Sequence, residues 1–183
     1  QAVHNAASEK AAQAGMGSTI VAVLADGAFF SVGHVGDSRI YLIRDGSIEQ
    51  LTNDHSLVME QVRLGMITLA EARTSQMQNV IVRALGTEPS VQPDLDDLVA
   101  APGDVLVLCS DGLTRHVSDD KILETVMSAS DLQKACDRLV DAARDGGGED
   151  NITCLLLRFE EQPWYKKWLD AASGGSPKWQ NSF

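Results

Sequence analysis

The chain has 183 residues, a formal net charge of −11 and a hydrophobic fraction of 44%. That length supports one domain with a real core, and the composition is that of a globular chain, neither disordered nor membranous. The acidic balance argues against nucleic acid or an anionic membrane held by the overall field. No apolar run of about 18 residues or more occurs, and the N-terminus has no signal-peptide pattern.

Residues 1–14 are rich in Ala and Gln, contain no breaker and read as helix. The pattern starts without a cap or an initiator methionine, so the chain is expected to be the later part of a longer protein. Gly15-Met16-Gly17 breaks the helix, and Ser18 to Leu24 reads as a buried strand. Asp26-Gly27 signals a hairpin, and Ala28 to Val35 returns as a second strand. Gly36-Asp37-Ser38 interrupts that strand, and Arg39 to Ile43 resumes it. Asp45-Gly46 is a second hairpin turn, followed by a strand from Ser47 to Leu51. The pattern predicts a meander of antiparallel strands.

A turn-like stretch, Thr52 to Ser56, leads into apolar residues at helical spacing, Leu57 to Leu64, stopped by Gly65. Thr68 caps a short helix over 69–73, with Glu71 completing a capping box. Residues 56–79 thus read as a small, mobile helical insertion. Val80 to Leu85 reads as a short strand. Val91 to Val99 reads as an edge strand whose Asp94, Asp96 and Asp97 face solvent.

Ala101-Pro102-Gly103-Asp104 forms a tight turn. Val105 to Cys109 is an unbroken apolar run, too short for a helix, and predicts a strand buried on both faces. It ends abruptly in Ser110-Asp111-Gly112. Ser118 caps a helix with Asp119 and Asp120 in its first turn, where the helix dipole favours anions. Ser130 caps another, whose apolar positions Leu132, Ala135, Cys136, Leu139, Val140 and Ala143 fall on one face. Gly146-Gly147-Gly148 ends it, and Glu149-Asp150-Asn151 leads into a last strand, Ile152 to Phe159. Beyond Glu160 the pattern dissolves. Trp164, Tyr165 and Trp168 suggest a short docking helix, and Gly174, Gly175 and Pro177 a frayed tail. The three cysteines, Cys109, Cys136 and Cys154, form no CxxC pair and read as buried free thiols of a reducing cytoplasm.

Three carboxylates share one kind of position. Asp37 interrupts a strand, Asp111 ends one and Asp150 precedes one. Asp37 and Asp111 have small neighbours, which leave room for close approach. Carboxylates with few histidines nearby suit hard cations such as Mg²⁺ or Mn²⁺, and a pair of such ions supports hydrolysis at phosphorus. Spacing alone leaves open whether these residues meet or merely form turns, a β-bulge in the case of Asp37. His55 reads as a loop histidine bonded near Asp54, His34 as packing, and Arg39 and Arg83 as structural ion pairs. His116 follows the Asp111 loop without a role. Met59, Arg63, Met66 and Met77 either touch a phosphoprotein or fill core gaps.

Gly17-Ser18-Thr19, Val35-Gly36-Asp37-Ser38-Arg39, Leu51-Thr52-Asn53-Asp54-His55-Ser56, Arg83-Ala84-Leu85-Gly86, Leu108-Cys109-Ser110-Asp111-Gly112-Leu113 and Asp150-Asn151-Ile152-Thr153 occur in that order. In this the chain resembles the bacterial type 2C metal-dependent serine/threonine protein phosphatases (PPM family), from about Gly15 to Phe159. The resemblance implies an α+β fold, a two-sheet antiparallel β-sandwich flanked by helices, with residues 56–79 as the flap. It implies a partial catalytic domain over 1–159 and a tail over 160–183. It also implies two core Mn²⁺ or Mg²⁺ ions and a weaker third, with hydrolysis of phosphoserine or phosphothreonine by metal-activated water. By position, Asp111 and Asp150 match ligands of the second core ion, and Asp37, with Asp111, a ligand of the third. Phosphorylated proteins are the implied substrates, a Ser/Thr kinase the implied counterpart, and the cytoplasm the implied location.

The family's early strands, with the Asp-Gly-x-Gly-Gly motif that supplies the bridging ligand, find no counterpart in these residues. A truncated chain is therefore expected, with apolar faces and open edges that favour association. Two alternatives stand beside this reading: a non-catalytic pseudophosphatase or regulatory module, and a stress-response phosphatase acting on an anti-sigma antagonist.

Overall fold

The computed structural model describes residues 1–9 and 11–160; Trp164, Tyr165, Trp168 and the glycines of the tail lie outside them. The chain begins with helix α1 (Ala2–Glu9) and a 3-10 turn (Ala11–Gln13). It continues through β1 (Ile20–Asp26), β2 (Phe29–Val35), β3 (Arg39–Arg44) and β4 (Ser47–Gln50). Two short helices follow, α2 (Leu57–Arg63) and α3 (Leu69–Thr74). Then come β5 (Asp94–Val99), β6 (Val105–Cys109), α4 (Asp111–Thr114), α5 (Asp119–Ser128), α6 (Leu132–Asp145) and β7 (Cys154–Arg158).

The strands form two antiparallel sheets, ordered β1-β2-β5 and β4-β3-β6-β7. Alternation along β3 and β6 explains their continuous apolar character. Ile40, Leu42, Leu106 and Leu108 face the first sheet and pack on Phe30 and Val32. Tyr41, Ile43, Val105, Val107 and Cys109 face the other way, onto Leu113, Ile122, Val126, Ala135, Leu139 and Ala143 of the helical layer. The expected two-sheet α+β sandwich is therefore what forms, and the all-buried strand over 105–109 lies at its centre. Burial pushes the Cys109 thiol up to about 12, so it stays a neutral packing group. No helix among the described residues is long and apolar enough to cross a membrane.

Local chemistry accounts for the joints. Asp45 and Gly46, both at positive φ (50° and 75°), make the two-residue turn between β3 and β4. The Thr68–Glu71 capping box forms with both its bonds. Ser118 caps α5 by accepting from Lys121 N.

The structure corrects several expectations. The strand near Ser18 to Leu24 starts at Ile20 and is not buried: it is an edge strand, with Leu24 72% exposed. An apolar run says that a strand forms but not which of its faces is covered. Among the described residues Leu24, Phe29, Leu95 and Val99 leave the outer face of the first sheet exposed. Val80 to Leu85 is no strand, because its backbone bonds go to separate partners, Leu57, His55 and Ser18. Helix α6 is capped by Asp131, not Ser130; the Asp131 carboxylate accepts from Lys134 N at 2.9 Å. Finally, residues 36–38 do not interrupt one strand of one meander. They carry the chain from the first sheet into the second, since β2 and β3 do not pair.

Candidate metal centre

Each of the three carboxylates sits at a structural joint. Asp37 lies on the crossing between the sheets. Gly36 makes this crossing possible: it has φ +106°, and a Cβ there would lie 2.3 Å from the Thr19 methyl. The hydroxyls of Thr19 and Ser38 meet at 2.8 Å on the other side of Asp37. Asp111 is the first residue of α4, directly after the buried β6, so a rigid strand fixes its backbone. Asp150 lies in the loop before β7, and its carboxylate accepts from Asn151 N at 2.7 Å.

The loop carrying Asp150 is locked to the Asp111 turn. Ser110 Oγ donates to Asn151 O at 2.9 Å and accepts from Thr153 N at 2.9 Å. Gly112 packs so closely that a Cβ there would lie 2.4 Å from Asn151 O. The result brings two carboxylates onto one cation: the guanidinium of Arg115 bonds Asp111 Oδ2 through Nη2 and reaches Asp150 Oδ2 through Nη1 at 3.3 Å. Asp37, only 8% exposed, borders the same cluster. Burial raises its carboxyl above the ordinary range, the Asp111 carboxylate raises it further, and Arg115 opposes both.

Arg115 thus joins Asp111 to Asp150, and Asp37 feels the Asp111 charge, but among the described residues the three carboxylates do not close into one compact ligand group. Arg115 is the member that sequence reasoning missed; its spacing of four from Asp111 on a helix start was the available signal. An all-carboxylate set gathered around positive charge fits a hard cation such as Mg²⁺ or Mn²⁺.

The Asp37 electrostatics carry a stability prediction. The folded state holds the Asp37 proton more tightly than the unfolded chain does. Folding stability thus declines as pH rises from 3.8 through the raised value, and at neutral pH the buried charge is a net cost. In EDTA, Asp37→Asn is expected to raise stability at pH 7, a gain that shrinks toward pH 4. Urea midpoints at both pH values check it; a gain that is equal at the two would refute the assigned cause.

A second cluster lies beside the first. Ligand atoms of His34, His55 and Asp94 fall within 4.8 Å of one another. His55 does not bond Asp54, contrary to expectation, because Arg39 holds that carboxylate through Nε at 2.9 Å and Nη2 at 2.7 Å. His55 Nδ1 accepts from Gly36 N at 3.1 Å, so Nδ1 carries no proton and the neutral ring bears its proton on Nε2. Nε2 lies 3.2 Å from Asp94 Oδ2 and 3.1 Å from Arg83 Nη1. Both ring nitrogens of His55 are thus committed, to Gly36 and to Asp94, and the trio is tied together as a hydrogen-bonded node. Burial lowers the His55 pKa, in keeping with a neutral ring. His34 stacks on His55 with ring centroids 4.5 Å apart, and its Nε2 lies 2.9 Å from Asn53 O. Arg39 and Arg83 are ion-paired as expected, with Asp54 and Asp94. His116 lies across Gly146 and Gly147.

Residues 1–63 match the family model described as protein phosphatase 2C, and residues 71–160 match that of stage II sporulation protein E (SpoIIE). A putative protein phosphatase 2C-type of Streptococcus pyogenes is 42% identical over 148 residues, covering 81% of this chain and 60% of the relative. Among solved structures, the serine/threonine phosphatase PstP/Ppp of Mycobacterium tuberculosis is 38% identical with a TM-score of 0.82, covering 87% of this chain and 67% of that one. A catalytic domain of PstP in complex with two manganese ions is 37% identical with a TM-score of 0.78, covering 87% and 66%. The chain spans about three fifths of the length of its streptococcal relative. With this identity, the shared sandwich and the ordered motifs, the chain belongs to the type 2C (PPM) protein phosphatase family.

Proposed function

We propose that residues 1–159 form part of the catalytic domain of a metal-dependent protein serine/threonine phosphatase. In this reading Asp111 and Asp150 hold a core Mn²⁺ or Mg²⁺, and Asp37 with Asp111 holds a weaker third ion. The observation that carries it is the convergence of Asp111 and Asp150 on one guanidinium with buried Asp37 beside them. The manganese bound to the PstP neighbour supports the choice of ion.

When bound, such ions polarise the phosphoryl group and lower the pKa of a water that attacks it. The chain's own part is to place oxygen ligands. Strand β6 fixes Asp111, the Ser110 hydroxyl ties the Asp150 loop to it, and Gly36 makes the tight crossing that carries Asp37. Arg115 balances the carboxylates' charge. Helices α2 and α3, in the insertion over 56–79, serve as the flap against which a phosphoprotein would lie. Its apolar tip residues Leu64, Met66 and Met77 are more than half exposed, at 60%, 67% and 52%, which favours a contact surface over gap filling. Phosphoserine and phosphothreonine proteins are the proposed substrates, a cytoplasmic Ser/Thr kinase the counterpart. Retention of all three carboxylates supports an enzyme over a regulatory module.

The test is phosphate release from a phosphothreonine peptide by this chain and by the full-length product of its gene, with Mn²⁺ and with EDTA. Manganese-dependent turnover by the full-length product is the expected result. A full-length product that binds the peptide but releases no phosphate in Mn²⁺ would move the assignment to a pseudophosphatase.

A further inference from the structure

His55 is 7% exposed and bonded on every side. Its main-chain N–H donates to Gly36 O at 2.9 Å and its Nδ1 accepts from Gly36 N at 3.1 Å, so one residue grips both backbone groups of another. Gly36 is the residue before Asp37, and Thr19 fills the space where a Cβ would sit. On its other side His55 holds the base of the 56–79 insertion. Its carbonyl accepts from Val82 N at 2.8 Å, and Leu57 N donates to Val80 O at 2.8 Å. Its Nε2 meets Asp94, which also accepts from Arg83 Nη1 at 2.5 Å. The base of the insertion and the crossing that carries Asp37 therefore meet at one residue: main-chain bonds join His55 to the insertion, and its ring bridges Gly36 to Asp94 and Arg83, just beyond the insertion.

We propose that His55 is a positioning residue that couples the placement of the 56–79 insertion to the cation affinity of Asp37, its Nδ1 holding the Asp37 crossing and its Nε2 holding the Asp94–Arg83 pair that anchors the chain where it leaves the insertion. This rests on the reading of Asp37 as a ligand. Coupling of this kind runs both ways: whatever settles the insertion tightens the weak cation, and the cation settles the insertion. A phosphoprotein pressing on the flap would then recruit the third ion.

The two nitrogens can be tested separately. Asparagine places an amide oxygen near the Nδ1 position and keeps an acceptor for Gly36 N–H. Glutamine places an amide nitrogen near Nε2 and keeps a donor for Asp94. Two readouts are taken on this chain: Mn²⁺ binding by electron paramagnetic resonance of the free ion, and tryptic cleavage at Arg63 and Arg73 within the insertion. Asp37→Asn is the control and should remove the weaker class of bound Mn²⁺. His55→Ala is expected to weaken that class about tenfold, the usual scale for a residue behind a ligand, and to speed cleavage about tenfold. His55→Asn should restore Mn²⁺ binding but not protection, and His55→Gln the reverse. Asp94→Ala, a change at a half-exposed carboxylate that spares the Gly36 bonds, should match His55→Asn and serves if His55→Ala does not fold.

Wild-type Mn²⁺ binding in His55→Ala, with binding lost in Asp37→Asn, would overturn the proposal while leaving the ligand reading intact. Identical behaviour of the Asn and Gln variants would also overturn it. Unchanged Mn²⁺ binding in Asp37→Asn would instead remove the ligand reading itself.

Discussion

Asp111→Asn is expected to lower the proposed phosphatase activity by a factor of about 1000 or more while leaving the fold intact. In the proposed assignment Asp111 is shared by cation sites, so its loss would remove both the Lewis acid and the means of activating water. The fold has reason to tolerate the change. The Asp111 side chain is 24% exposed, Asn has the same shape, and Arg115 keeps Asp150 as its partner. Removing the charge also relieves Asp37, whose proton affinity Asp111 raises. Asp37→Asn should weaken activity far less and leave the core ions in place. Turnover and a manganese titration on both variants check this. Equal loss of core metal in the two would show that the carboxylates do not have distinct roles.

Gly112→Ala is expected to displace the loop that carries Asp150. The backbone of Gly112 is not at positive φ, so no conformational strain is involved. The obstacle is contact: a Cβ would lie 2.4 Å from Asn151 O and 3.0 Å from Asn151 C, both main-chain atoms that cannot rotate away. The Asp150 loop must move, and with it the bonds of Ser110 to Asn151 and Thr153. Overpacking of this kind, with lost hydrogen bonds, costs about 2–4 kcal/mol. Because the displaced segment carries Asp150, Mn²⁺ affinity should fall at least about tenfold, beyond what the stability change explains. Denaturant midpoints and Mn²⁺ binding on the folded variant separate the two effects; wild-type values for both would mean that the close approach does not exist in solution.

Much of the fold was legible because local chemistry decided it. The run from Val105 to Cys109 could only be a strand covered on both faces, and Asp45-Gly46 could only be a tight turn. The Thr68–Glu71 box formed as written. What could not be read depends on partners distant in the chain. Gly36-Asp37-Ser38 looks the same in sequence whether a strand kinks within one sheet or leaves it for another. The strand near Ile20 is apolar enough to be buried, yet exposure is decided by what packs over it. The carboxylates at 37, 111 and 150 were found from strand ends and a family pattern, but Arg115 and the partners of His55 were not. Ion pairs over 35 residues, as between Arg115 and Asp150, leave no local periodicity to detect.

The crossing at residues 36–38 has a mechanical meaning. Asp37 hangs from the junction of the two sheets, yet the ladder of the second sheet sets its spacing. Arg39 pairs with Cys109, and the same antiparallel register carried on by two residues places Asp37 opposite Asp111. Cys109 pairs in turn with Cys154, on the strand that the Asp150 loop enters. The neighbouring strands β3, β6 and β7 thus act as a ruler across one end of the sheet, with steps of about 4.8 Å. A slip of one residue in either pairing would detune the proposed centre without changing a single carboxylate.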